Sequence, residues 1–453
     1  MSELKLPEGF VLGTATSAYQ VEGAWDIEGK GPSIWDAFTA LPGRTEGNVS
    51  GRDGVDHFHR YAEDIRHMRE IGLDSYRFSL SWPRLLPEGT GRVNQAGLDF
   101  YDRLVDDLLA AGIKPNVTLY HWDLPQALQD RGGWPHRDAI DWFEEYAALA
   151  FDRYGDRVPL WATINEPIAL WVGYGLGLFA PGTADPKLGK QAMHHAMVAH
   201  GRAVRQFRAS GAIGEIGIAI DVWKRHPATG SEADRTLALR EEDDSFRFFF
   251  DELFAGGWSP RLRDRLEAEG LTPTVQPGDF ALAAEPIDFL GLNVYSRVIV
   301  DAQNFDPQWW TTTEENQLPG GNYLANGQEF YPQALSDAAR VVRGEYGVTV
   351  PIYITENGLS ARTEALVDGR VHDADRITYL TGFLQDAVRA VDEGLDIRGY
   401  YVWSLLDNYE WTASYTARFG LLRVDTADMD RVWKDSAYWF QRLCATRTLA
   451  LDA

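Results

Sequence analysis

The chain has 453 residues, 45% of them apolar and 24% charged, which are the proportions of an ordinary soluble globular protein with room for a large buried core. Its 43 Lys and Arg face 67 Asp and Glu, and a formal charge of −24 repels phosphate backbones and excludes nucleic acid as a partner. Cys444, the only cysteine, excludes an internal disulfide and a thiolate zinc cluster and fits a reducing compartment.

Residues 1–20 lack a basic start followed by an apolar core, and no apolar run approaches the ~18 residues that span a bilayer. A soluble, unexported, cytoplasmic chain with no membrane partner is expected. The 16 Trp, 19 Tyr and 21 Phe exceed what core filling needs, and flat indole faces suit the C–H faces of sugar rings.

Short apolar, β-rich runs alternate with longer stretches of helical period, the pattern of successive βα units. Strand Phe10–Thr14 precedes a helix over Asp56–Gly72, and strand Asp74–Ser79 a helix over Asn94–Ala111. Strand Lys114–Leu119 leads to helix Asp138–Tyr154, Leu160–Thr163 to Lys190–Ser210, and Ile216–Asp221 to Ser231–Phe254. Strand Asp288–Asn293 leads to helix Tyr331–Tyr346, Ile352–Thr355 to Asp375–Gly394, and Ile397–Ser404 is the last strand. Several helices open on Asp, Asn or Ser as candidate N-caps, and Gly72, Gly112 and Gly394 stand where helices should stop.

Eight such units, with no Gly-x-Gly-x-x-Gly turn after the first strand, predict an α/β fold in which a single (β/α)₈ TIM barrel domain covers residues 1–453. Elaborated loops are expected at the C-terminal face of its strands. The polar segment Val300–Phe330, with Pro307, Trp309, Trp310, Pro319, Gly320 and Gly321, is too long for a simple connector and is expected to shape the mouth.

Barrel enzymes place their chemistry where strands end. The fourth strand ends Thr163-Ile164-Asn165-Glu166-Pro167, where Pro167 disfavours helical geometry at Glu166 and is expected to present it from an extended strand end. The seventh ends Thr355-Glu356-Asn357-Gly358, where Asn-Gly should force a turn directly after the acid. Two carboxyl groups flanking one bond are what glycoside hydrolysis requires, and retaining enzymes hold them about 5–5.5 Å apart. That chemistry needs no metal and no cofactor. His57, His59, His194, His195 and His200 form no His-Glu-x-x-His motif and are read as packing or surface residues. Phe246, Phe248, Phe249 and Phe250 read as the buried face of an amphipathic helix on the barrel.

Over nearly its whole length the chain resembles the β-glucosidases of glycoside hydrolase family 1, of bacterial type. The resemblance rests on residues 10–23, 77–82, 121–125, 163–167, 180–182, 354–358, 403–411 and 418–420. It implies a retaining hydrolase of terminal nonreducing β-glucosides, with β-fucosides and β-galactosides as further candidates. Glu356 would be the nucleophile and Glu166 the acid/base, with a pKa raised by burial and by the neighbouring carboxylate. Arg77 would hold Glu356 and lower its pKa, and Asn165 would contact the sugar 2-hydroxyl. The resemblance assigns the nonreducing sugar to Gln20, His121, Trp122, Asn293, Tyr295, Trp403, Glu410, Trp411 and Phe419, with Trp403 as the stacking floor.

Glu410 separates this chain from relatives that act on 6-phosphorylated sugars, since a carboxylate would repel a phosphate. Ile168 and Gln328 stand where many relatives carry tryptophan on the leaving-group side, which predicts weak stacking of a second glucose and poor turnover of cellobiose. The competing readings are a transglycosylating enzyme with an unusual aglycone and a non-catalytic sugar-binding barrel. The only partner expected is the small β-glycoside substrate; oligomeric state is not legible.

Overall fold

The computed structural model describes residues 3–304, 322–324, 327–361 and 364–451. Eight parallel strands close a barrel: β1 (Val11–Ala15), β2 (Ser75–Ser79), β3 (Lys114–Tyr120), β4 (Leu160–Asn165), β5 (Glu215–Asp221), β6 (Phe289–Asn293), β7 (Ile352–Asn357) and β8 (Ile397–Trp403). They neighbour one another in chain order, and β8 pairs with β1 in register from Gly399↔Val11 to Trp403↔Ala15. Every residue of β2, β4, β6 and β7 is buried. Helices cover one face of such strands and barrel side chains fill the other, which is why they read as unbroken apolar runs. Inside the barrel, Ala15, Leu160, Phe289, Tyr353, Tyr401 and Trp403 form a cluster of their own beneath the mouth.

The shell departs from the expected boundaries at identifiable places. The helix after β4 begins at Pro186, four residues before Lys190, because the Asp185 side chain accepts from the N–H groups of Lys187 (2.9 Å) and Leu188 (3.2 Å). The helix expected over Ser231–Phe254 is broken into Glu232–Asp243 and Phe246–Phe250. Ser245 lies between them with φ −117° and ψ −116°, its hydroxyl turned back onto the Glu241 carbonyl (2.8 Å). Phe246, Phe248, Phe249 and Phe250 are all buried.

Ser231 caps its helix by accepting from Asp234 N–H, whereas Asp56, Asn94 and Asp138 make no side-chain cap bond. The Asn94 amide instead donates to the carbonyls of Glu28 and Arg84, tying loops together. Gly72, Gly112 and Gly394 do end helices, with φ of +85°, +78° and +92°. Elements outside the expected set include helix Asp435–Thr446, an antiparallel pair of Glu3–Lys5 with Thr448–Ala450, and a hairpin of Leu422–Val424 with Arg431–Trp433. Among the described residues no helix is long and apolar enough to cross a membrane.

Candidate active site

Both strand-end glutamates sit where the ladder slips. The β4–β5 register shifts between Ala162 and Asn165, and the β6–β7 register shifts between Ile354 and Glu356. Such irregularities re-aim a side chain. Glu166 has φ +44°, so it is left-handed rather than extended; its N–H still bonds the Ala219 carbonyl of β5 (2.9 Å). That tether and Pro167 turn the chain by one residue just past β4, and the expectation of an extended Glu166 is corrected accordingly.

Beyond Glu356 the strand continues through Asn357, whose amide donates to the Val294 carbonyl (2.6 Å) and the Tyr379 hydroxyl (3.0 Å). Gly358 provides close approach, since a Cβ there would lie 1.8 Å from the Trp403 carbonyl oxygen.

One hydrogen-bonded network joins the ends of β2, β4, β6 and β7. Arg77 donates from Nη1 to Glu356 Oε1 (2.6 Å) and from Nη2 to Asn165 Oδ1 (2.6 Å). Asn293 donates from Nδ2 to Glu166 Oε1 (2.6 Å) and Asn165 Oδ1 (3.0 Å), and its own Oδ1 accepts from Thr355 Oγ1 (2.7 Å). The Tyr295 hydroxyl donates to Glu356 Oε2 (2.8 Å). Asn165 Nδ2 and His121 Nε2 lie 3.1 Å apart, and the Trp122 indole donates to the Asn165 carbonyl (2.9 Å).

Burial, the Glu356 charge and Asp221 push Glu166 well above the usual carboxylate range, which favours its protonated form. Burial also lifts Glu356, and the donors from Arg77, Tyr295 and Asn293 pull it back only in part. Arg77 therefore acts in the expected direction, while desolvation outweighs a single guanidinium contact. Burial and then Arg77 drive His121 well below 6.5, leaving a neutral imidazole.

The remaining sugar-binding candidates gather around the ends of β8 and β1. Gln20 Nε2 donates to Asn408 Oδ1 (3.1 Å), the Tyr409 carbonyl (3.0 Å) and Glu410 Oε2 (3.2 Å), while its Oε1 accepts from Ser17 Oγ (2.6 Å). His121 lies nearly parallel to Trp403 (5.7 Å, 19°) and Trp411 (6.1 Å, 20°), and Trp122 packs on Trp411 at 4.6 Å. Phe419 meets Tyr295 edge-on at 6.2 Å. Burial and Glu356 raise Glu410 to about 8, so in the sugar-free pocket at pH 7 it is largely protonated. The standing charge expected to repel a phosphate there is mostly absent.

Ile168 is half-buried against the main core at the start of a one-turn helix. Gln328 turns its amide onto the Tyr295 carbonyl (2.9 Å) and the Tyr379 hydroxyl (3.5 Å), steadying the loop that carries Tyr295. Of the segment expected to shape the mouth, Pro307, Trp309, Trp310, Pro319, Gly320 and Gly321 lie outside the described residues. Its described end is anchored by Glu329, which accepts from both arms of Arg297 (2.8 and 3.0 Å).

The histidines outside the mouth are partnered. His57 bonds Asp64, His59 bonds Asp56, His194 bonds Glu252 and Asp279, His195 bonds the Trp134 carbonyl, and His200 bonds Thr163. Among the described residues no group of three or more His, Cys, Asp or Glu is arranged to hold a metal ion. The site residue that sequence reasoning passed over is Asp221. It closes a strand that was read correctly, so its strand-end position was the available signal.

Two glutamates at the carboxyl ends of β4 and β7, one held by an arginine and the other with its pKa raised, can deliver a nucleophile and an acid to the same bond: the layout of a double-displacement glycosidase. The chain belongs to glycosyl hydrolase family 1, whose family model matches residues 2–449. It is 42% identical over 447 residues to Beta-glucosidase A of Thermotoga maritima, covering 98% of each chain. It is 40% identical over 450 residues to Beta-glucosidase A of Acetivibrio thermocellus, covering 98% of this chain and 99% of that one. The solved structure of the Thermotoga maritima β-glucosidase in complex with glucoimidazole superposes with a TM-score of 0.91 at 41% identity, covering 98% of this chain and 99% of the other.

Proposed function

We propose that the protein is a retaining β-glucosidase that releases terminal nonreducing β-glucosyl units through a covalent glycosyl-enzyme. The observation that carries this reading is the network through Arg77, Asn165 and Asn293, which links Glu356 and Glu166 in different environments. Glu356 attacks the anomeric carbon as the bond to the leaving oxygen breaks, and Glu166 transfers its proton to that oxygen, releasing an alcohol. Esterification removes the Glu356 charge, so the Glu166 pKa falls and the carboxylate then takes a proton from the water that cleaves the ester.

Asn165, held by Arg77 and Asn293, is placed for the sugar 2-hydroxyl, whose hydrogen bonds strengthen in the transition state. Gln20 and Glu410 serve the far hydroxyls, His121, Trp122, Trp411 and Phe419 line the ring, and Trp403 is the floor. Ile168 and Gln328 lie towards the leaving group. A cytoplasmic location belongs to the same reading and is supported by a lone, buried cysteine.

The test is kcat/KM on the 4-nitrophenyl β-glucoside, galactoside, fucoside, xyloside and 6-phosphoglucoside and on cellobiose, with Glu356→Ala as background. Fast glucoside turnover that vanishes in the variant and returns with azide as the α-glycosyl azide is expected. A β-azide product would reverse the two glutamate roles. Absence of turnover on every substrate would favour a sugar-binding barrel, and glycoside products with added alcohol would reveal transglycosylation.

A further inference from the structure

One phenol ties the helical shell to the strand of Glu356. Tyr379 lies on helix Ala374–Asp392, fully buried, with its ring stacked on Phe383 (4.4 Å, 29°). Its hydroxyl donates to the Tyr295 carbonyl (2.6 Å) and accepts from the side-chain amides of Asn357 (3.0 Å) and Gln328 (3.5 Å). A phenol offers one proton and two lone pairs, so every hydrogen-bonding position of this group is filled. Burial lifts its pKa above the ordinary phenol value, so the proton it gives to the Tyr295 carbonyl stays in place.

Its partners on the barrel stand one step from the proposed nucleophile. Asn357 follows Glu356 in β7; its amide also donates to the Val294 carbonyl (2.6 Å), and its Oδ1 accepts from the Tyr400 hydroxyl of β8. Val294 N–H in turn donates to the Glu356 carbonyl (3.0 Å), and Tyr295, the next residue, sends its hydroxyl to Glu356 Oε2 (2.8 Å). Val294 and Tyr295 therefore grip Glu356 at backbone and carboxylate together, and Tyr379 fixes them from the shell. Gln328 adds a second donor to the same Tyr295 carbonyl (2.9 Å). A phenol hydroxyl sits at the end of a long rigid lever, so a small rotation of the Tyr295 peptide plane is enough to spoil its bond to Oε2.

On the β-glucosidase reading, we propose that Tyr379 is a positioning residue for Glu356: by clamping the Tyr295 carbonyl to Asn357, it aims the Tyr295 hydroxyl at the carboxylate. Fully buried and with every hydrogen-bonding position taken, it touches no substrate. The other groups around Glu356 are Arg77 and Asn293, which donate to it, and the acids Glu166, Asp221 and Glu410, which feel its charge. Tyr379 bonds none of these. A change at position 379 therefore reaches the Glu356 carboxylate by one route, the Tyr295 hydroxyl.

The test is a double-mutant cycle read on 4-nitrophenyl β-glucoside. Tyr379→Phe removes one oxygen and keeps the ring, and kcat/KM should fall about tenfold, the scale of one lost hydrogen bond. Its acid limb, where Glu356 gains a proton, should move to higher pH, because the Tyr295 hydroxyl then stabilises the carboxylate less. In a Tyr295→Phe background, where that hydroxyl is already gone, the same change should leave the acid limb in place and cost far less than tenfold. Gln328→Leu strips the second donor from the same carbonyl; it should move the limb in the same direction by less, and it serves if Tyr379→Phe fails to fold. An acid limb that stays at its wild-type pH in the variant that folds, or an equal loss from Tyr379→Phe in both backgrounds, would overturn this inference alone. Absence of wild-type turnover would overturn the proposed function and this inference with it.

Discussion

Arg431 and Asp64 form one buried ion pair, between the hairpin strand Arg431–Trp433 and the helix His57–Ile71; Arg77 and Glu356 form another in the barrel mouth. Both are hidden from water, with side-chain exposures of 0% and 0% in the first and 1% and 5% in the second. Their carboxyl groups are nevertheless shifted in opposite directions. Burial pushes Asp64 up, but His57 Nδ1 (2.7 Å) and two arms of Arg431 (2.8 and 3.0 Å) override it and hold Asp64 below the usual range. Arg77 gives Glu356 one arm and Asn165 the other, and Glu356 stays above the usual range. Guanidinium arms per carboxylate, two at Asp64 and one at Glu356, and not burial, separate the two regions. The pair that holds the fold is compensated, and the proposed catalytic pair is left short.

The comparison breaks most visibly at Arg431. Replacing it with Met should destabilise the protein by about 3–5 kcal/mol at pH 7, the usual cost of leaving half of a buried pair, as read by urea unfolding. Because the native Asp64 pKa lies below its unfolded value of about 3.9, the pair's stability is fully present above that pH and is lost as pH falls through the native value. The gap between wild type and variant should therefore narrow towards pH 3, and a pH-independent gap would count against Asp64 as the titrating partner.

In the mouth, Arg77→Lys keeps the charge but removes the fork that serves two acceptors. A fall in kcat/KM of about 10²–10³-fold is expected, the scale of one lost preorganised donor, with the acid limb displaced to higher pH as Glu356 ionises less readily. An unmoved acid limb would refute the claim that Arg77 restrains the Glu356 pKa.

A change in stability is also expected at Glu166. Its native pKa lies above the unfolded value, so wild type loses stability as pH rises above the unfolded value. Glu166→Gln escapes this loss, and its advantage over wild type should grow as pH rises from the ordinary carboxylate range. Parallel stability curves would mean that Glu166 is not raised in the folded protein.

The eight strands were legible within about two residues because barrel strands are buried on both faces, so the apolar run and the strand coincide. Glu166 and Glu356 were legible because strand ends carry chemistry in barrels. What periodicity could not carry was local backbone detail. The left-handed φ of Glu166 depends on its bond to the Ala219 carbonyl, a partner more than fifty residues away. The break at Ser245 depends on one hydroxyl choosing the wrong carbonyl for a continuing helix. Asp221 offered its strand-end position as a signal, but its effect on Glu166 depends on two strand ends meeting once the barrel closes. The terminal pair Glu3–Lys5 with Thr448–Ala450 is likewise a meeting of distant segments too short to leave a pattern.

The space at Gly358 sets where this pocket can evolve. With the Trp403 carbonyl oxygen 1.8 Å from where any Cβ would sit, the strand of Glu356 and the proposed sugar floor are spaced by the absence of a single carbon atom. No substitution at that position leaves both where they are. In a mutagenesis library, position 358 should survive only as glycine, while positions 168 and 328 should accept variety. New leaving groups are then within reach of single changes, whereas a new sugar would require moving the floor.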